Sequence, residues 1–209
     1  MAENARSLTE TLRRQLTPHV PEAARGMPPA SCICVAWSGG LDSTVLLDAL
    51  ARLAPELGAE VCAVHVDHGM REASADEAAF CRRWAAARGI PLRVERLEVR
   101  RGPSVEQQAR LQRYAALGRA AESLGADLVV TAHHANDAVE TALLHFTRGT
   151  GLSGLTSLAP TAADQTPHRE GPIASWPDIP IGRPLVSLER ADVRAYADRR
   201  GLDWVEDPT

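Results

Sequence analysis

Four apolar runs recur along the chain, Cys32 to Trp37, Val61 to Val66, Leu92 to Leu97 and Leu128 to Ala132, and their starts lie 29, 31 and 36 residues apart. That is the length of a strand, a crossover helix and a return, so the runs predict βαβ units. The stretches between them carry helical patterns. Two open with capping boxes, Ser74 with Glu77 and Ser104 with Gln107, in which each end group satisfies a backbone amide of the first turn. Runs such as Cys32-Ile33-Cys34-Val35-Ala36 do not alternate apolar with polar residues. Parallel strands covered by helices on both faces have that character. The expected fold is α/β: a doubly wound, Rossmann-like parallel sheet of about five strands with helices on both faces.

The flanks read differently. Residues 1–30 predict a helical appendage, with the capping box Ser7-Leu8-Thr9-Glu10 heading a short helix that stops before Pro18. Residues 31–209 form the main domain. Within it, 160–182 hold five prolines and two glycines without periodicity, a long connection. After it, Arg183-Pro184-Leu185-Val186 reads as a short strand and Ser187 to Arg200 as a helix ended by Gly201.

Composition narrows the chemistry. With 209 residues and 44% apolar side chains, the chain suits one α/β domain plus an appendage. Its net charge of -4 means that nucleic acid must be met locally rather than by the whole surface. All 23 basic residues are arginine. A strict Walker A loop, a kinase-type ATP lysine and a pyridoxal aldimine are therefore excluded. Cys32, Cys34, Cys62 and Cys81 form no C-x-x-C pair, and with no membrane-length apolar run and no signal-peptide core the sequence reads as a reduced, cytoplasmic protein.

The most informative segment is Ser38-Gly39-Gly40-Leu41-Asp42-Ser43-Thr44, placed directly after the first strand and before the stripe Val45, Leu46, Leu47, Leu50. Two glycines let the backbone turn close to an anion, the amides of the next helix face it, and the hydroxyls of Ser38, Ser43 and Thr44 add donors. Asp42 suits Mg²⁺ bridging phosphate oxygens. The bland alternative is that Asp42 or Ser43 caps the helix and the glycines serve a tight turn.

S-G-G-x-D-S resembles the PP-loop of the N-type ATP pyrophosphatases, which cleave ATP between the α- and β-phosphates. Together with V-H-V-D-H-G-M-R from Val64, A-H-H-A-N-D-x-x-E-T from Ala132, R-G-T-G-L-x-G-L from Arg148, R-P-L from Arg183 and the terminal W-V-E-D-P-T, the chain looks like the tRNA(Ile)-lysidine synthetase family from about Cys32 to Thr209. The resemblance implies an adenine nucleotide alpha-hydrolase-like fold. It also implies ATP and Mg²⁺ as cofactors, and transfer of free L-lysine to the wobble cytidine C2 of tRNA(Ile) with a CAU anticodon through an adenylated tRNA. Family members usually continue into C-terminal domains that grip the tRNA, and by the resemblance those domains are expected to be absent from this chain, which stops at Thr209. No membrane partner is implied, and a homodimer is left open.

By the same resemblance Asp42, His133, Asp137, Arg148 and Arg183 are the catalytic candidates. Ser38, Gly39, Gly40, Asp42, Ser43, Thr44 and His65 are the nucleotide-binding ones, and Asp42 and Asp137 would hold Mg²⁺. Alternatives stand beside these. His65, His68, His133 and His134 with Asp67 and Asp137 are zinc-compatible residue types, though without a close H-x-x-x-H pair. His133 and Asp137 also fit capping and core hydrogen bonding, and Arg148 and Arg183 fit surface ion pairs. Arg93 to Arg119 hold seven arginines against three glutamates, a stripe that suits either RNA phosphate or a solvated face. Trp37 and Trp204 read as core. A PP-loop tRNA thiolase lacks its C-x-x-C here, and a universal-stress-type nucleotide module carries its phosphate loop after the fourth strand, not the first.

Overall fold

The computed structural model describes residues 2–19, 31–67, 74–97, 105–132, 177 and 179–206. Five strands, β1 (Ser31–Ala36), β2 (Ala59–Asp67), β3 (Leu92–Arg96), β4 (Leu128–Val130) and β5 (Ile181–Gly182), form one sheet in the order β3-β2-β1-β4-β5, with every neighbouring pair parallel. The expected strand rhythm holds. β1 to β2 to β3 steps one way across the sheet and β4 starts again on the other side of β1, so strand order reverses between β1 and β4.

Right-handed crossovers then put α2 (Leu41–Leu57) and α3 (Ser74–Ala86) on one face and α4 (Val105–Ser123) on the other. The core divides accordingly. Ile33, Val35 and Trp37 of β1 and its extension pack with α2 and α3, whereas Cys34, with Cys32 and Ala36 beside it, packs with Leu117, Ala120 and Ala121 of α4. Both parities of the strand are buried, which is why the run showed no alternation.

Helix α1 (Ala2–Leu16) begins well before the Ser7 box, which lies within it. It buries Leu8, Leu12 and Leu16 in the same core as α2, one turn apart on a single face. The last helix, α5 (Arg190–Arg200), stops at Gly201 in the left-handed region, φ 57°, as expected for a helix end. After the long connection the boundaries also differ from the sequence reading. The final strand is Ile181–Gly182 rather than Arg183 to Val186, and α5 starts at Arg190 rather than Ser187. Pro184 has no N–H for a ladder. Val129 N–H instead bonds the Pro180 carbonyl and Thr131 N–H the Gly182 carbonyl, and Arg183 to Leu188 turn, with Val186 N–H on Arg183 O.

On α2, Asp48 is buried, 7% exposed at its side chain, and receives Tyr196 Oη at 2.9 Å and Arg200 Nε at 3.2 Å from α5. This bond pair fixes α5 against the helix that carries the glycine loop.

Candidate active site

The segment from Trp37 to Thr44 closes on itself. Gly40 is the N-cap of α2 and makes no side-chain cap bond. Asp42 and Ser43 lie inside the first turn, so neither is the cap. Ser43 Oγ donates to Gly40 O at 3.1 Å and accepts Ser38 N–H at 3.2 Å, while the two serine hydroxyls meet at 2.9 Å and Gly40 N–H reaches Ser38 Oγ at 3.2 Å. The result is a ring of hydroxyl and amide groups at the start of a helix, where an anion finds donors and a favourable dipole together.

Gly39 explains the second requirement of the loop. Its φ is +88°, and a Cβ there would stand 3.1 Å from Cys81 Sγ of α3 and 3.4 Å from Val205 Cγ2. The positive φ favours glycine, and a side chain there would press Cys81 by a few tenths of an ångström. Val205 N–H also donates to Gly39 O at 2.9 Å, so the segment after α5 straps the loop from outside.

Two expected ligand groups face inward. Thr44 is fully buried, accepting Trp37 Nε1–H at 3.0 Å and donating to Gly39 O at 3.2 Å. His65, 3% exposed, places Nδ1 3.0 Å from the Trp37 carbonyl, which fixes the Nδ1–H tautomer because a carbonyl only accepts. Both hold the loop in shape and neither lines the cavity beside it.

That cavity has a volume of about 680 Å³, within the range of small-molecule sites. Ser38, Gly40, Asp42 and Ser43 form its phosphate-loop end. Ala36, Val64, Val66, Leu117 and Ala132 give an apolar slot at the carboxyl ends of β1, β2 and β4, beside the order reversal, which is where open α/β sheets bind ligands. Arg113, Tyr114, Arg190, Arg194, Trp204 and Glu206 complete the wall. Of these the sequence marks Arg113 through its stripe and Trp204 and Glu206 through W-V-E-D-P-T, and Trp204, read there as core, is wall as well.

Arg183 follows β5 and is not among the residues lining this cavity. His133, Asp137 and Arg148 lie outside the described residues, as do His68, His134 and most of 160–182. Among the described residues no three His, Cys, Asp or Glu side chains come together as a metal site. The phosphate loop therefore presents one hard oxygen donor, Asp42, beside hydroxyls. That set fits an ion held mainly by phosphate and water, as Mg²⁺ is.

No described helix is long and apolar enough to cross a membrane. A protein-family model described as the PP-loop domain matches residues 8–209. A tRNA(Ile)-lysidine synthase of Alkalilimnicola ehrlichii is 41% identical over all of this chain and 42% of its own length, and one of Pseudomonas aeruginosa is 43% identical over 84% of the chain and 37% of its own length. The chain thus spans about two fifths of the length of these curated relatives. The U34-tRNA thiolase NcsA of Methanococcus maripaludis, solved with its [4Fe-4S] cluster, shares the fold at a TM-score of 0.73 and 14% identity, covering 100% of this chain and 68% of that one. With glycine loop, buried βαβ core and family match in agreement, the chain belongs to the PP-loop domain family, and its sequence is similar to that of tRNA(Ile)-lysidine synthases.

Proposed function

We propose that this chain is the ATP-using domain of a tRNA(Ile)-lysidine synthase, which activates the wobble cytidine of the CAU anticodon and joins free lysine to it. The observation that carries the reading is a single cavity joining the S-G-G-L-D-S loop to an apolar slot, in a chain about 40% identical to such synthases over most of its length. The slot suits a purine and the loop a triphosphate. In the first step the cytidine O2 attacks the α-phosphorus, the bond to the β-phosphate oxygen breaks and pyrophosphate leaves. In the second the lysine amine attacks C2, and AMP departs with that oxygen.

The described residues act here by positioning. Gly40 N–H, Ser38 and Ser43 hold phosphate oxygens, and Asp42 would hold Mg²⁺, which supplies charge neutralisation on the phosphates when bound. His133, Asp137, Arg148 and Arg183 belong to the proposal through their motifs, for the reacting phosphate and for the second metal carboxylate. A sulfur-transfer reading has less support. Burial pushes the Cys81 thiol up to about 12, and the Cys32 thiol is raised by the hydrogen bond between Cys32 and Cys62, with burial behind it. Neither is a ready thiolate.

The test is lysine incorporation and pyrophosphate release with ATP, Mg²⁺ and the CAU tRNA, in a protein of family length carrying this domain. Absence of both products sinks the reading. Within it, Asp42→Asn should leave the thermal midpoint nearly unchanged, because the side chain keeps its shape, yet slow adenylation by roughly 10²-fold or more. An unimpaired variant would remove Asp42 from metal binding.

A further inference from the structure

Three guanidinium groups line the cavity beyond what the phosphate loop requires. Arg113 comes from α4 on one face of the sheet, and Arg190 and Arg194, one turn apart, come from α5 on the other. Arg113 and Arg190 are exposed and have no ion-pair partner among the described residues. Arg194 is pre-oriented: its guanidinium carbon lies 4.8 Å over the Trp204 ring, and its Nε lies 3.3 Å from Asp198 Oδ1. Trp204 lines the same cavity.

A nucleoside triphosphate needs one cradle, and the hydroxyls and amides around Ser38 to Ser43 already form it. Three more cations around one opening, in a chain of net charge -4, suit a second polyanion. An indole in the wall with a guanidinium stacked on it offers a plane for a base next to charge for its phosphates, the combination that binds single-stranded nucleic acid. An acidic peptide would use the charge and leave the plane idle.

We propose that the RNA strand carrying the target base enters between α4 and α5, with its flanking phosphates held by Arg113 on one side and by Arg190 and Arg194 on the other, and with Trp204 as the stacking wall. The proposal rests on reading the cavity as the ATP site and names the RNA contacts of that site. Among the described members of the arginine stripe, Arg113 lines this cavity. Arg93, in the same stripe, is instead engaged by Glu95 and by Ser123 Oγ at 2.9 Å.

The test uses Arg113→Gln, Arg190→Gln and their double variant, since both side chains are exposed and their loss leaves the core intact. Binding of a short single-stranded anticodon-loop RNA is followed by fluorescence anisotropy against salt, and Mg-ATP binding by calorimetry. Each substitution should lower the salt slope by about 0.7 and weaken RNA binding about five- to tenfold near 50 mM salt, with ATP affinity unchanged. Unchanged RNA affinity and slope would overturn the proposal. So would loss of ATP binding with RNA binding retained, which would hand these arginines to the triphosphate. Failure of the unsubstituted protein to bind Mg-ATP would strike the ATP reading beneath it, a result separable from the RNA data.

Discussion

Gly39 meets two demands with one missing atom: a φ of +88° and a close approach to Cys81, whose Sγ would lie 3.1 Å from a Cβ. Gly39→Ala should therefore lower stability by about 1–2 kcal/mol from the backbone alone, with nucleotide affinity falling as the loop shifts. Denaturant midpoints and calorimetry would check both, and a variant of unchanged stability would show that the loop accommodates a Cβ. Cys81 beneath it gives a pH dependence with a definite sign. Burial raises its thiol from 9.0 to about 12, so between those values the unfolded chain has released a proton that the folded chain keeps. The unfolded state then binds fewer protons, and stability falls as pH rises through that window. The gap between denaturant midpoints at about pH 7 and about pH 10 should narrow in Cys81→Ala; an equal gap would place the alkaline sensitivity elsewhere.

At the level of elements, the strands were legible because burial on both faces removes polar alternation, as in Cys32 to Ala36. The phosphate loop was legible because its chemistry is local: two glycines, three hydroxyls and a carboxylate lie within seven residues. Its inner workings were less so. Thr44 and His65 have the polarity of ligands, yet Trp37 turns both inward, through its indole N–H and its carbonyl, and nothing in the order of residues reveals that. The far wall of the cavity was legible only in part: the W-V-E-D-P-T motif and the arginine stripe stood out in the sequence, but not their place beside the loop. Arg190, Arg194 and Trp204 reach it only because Tyr196 and Arg200 tie α5 to the buried Asp48 of α2, a long-range packing event with no sequence period of its own. The displaced β5 has a similar cause, since Pro184 forbids the ladder that the apolar Leu185-Val186 suggested.

For the whole molecule, ATP chemistry and RNA capture should be separable. With a net charge of -4 and 4% aromatic residues, the chain should bind Mg-ATP but hold tRNA weakly and lose it steeply with added salt. On the proposed function, anticodon discrimination should not come from this chain alone. Nanomolar, CAU-selective binding by the chain alone at physiological salt would contradict this. The bond from Val205 to Gly39 has a kinetic side as well. The loop and its outer wall lie far apart in the chain, so the nucleotide pocket closes through a long-range contact, a slow kind to make. Pocket formation should be a late folding event. Mg-ATP added during refolding should leave the folding rate almost untouched and slow unfolding instead, because it stabilises contacts absent from the transition state. A stopped-flow chevron in which nucleotide moves the refolding limb would show that the pocket exists earlier than its sequence separation implies.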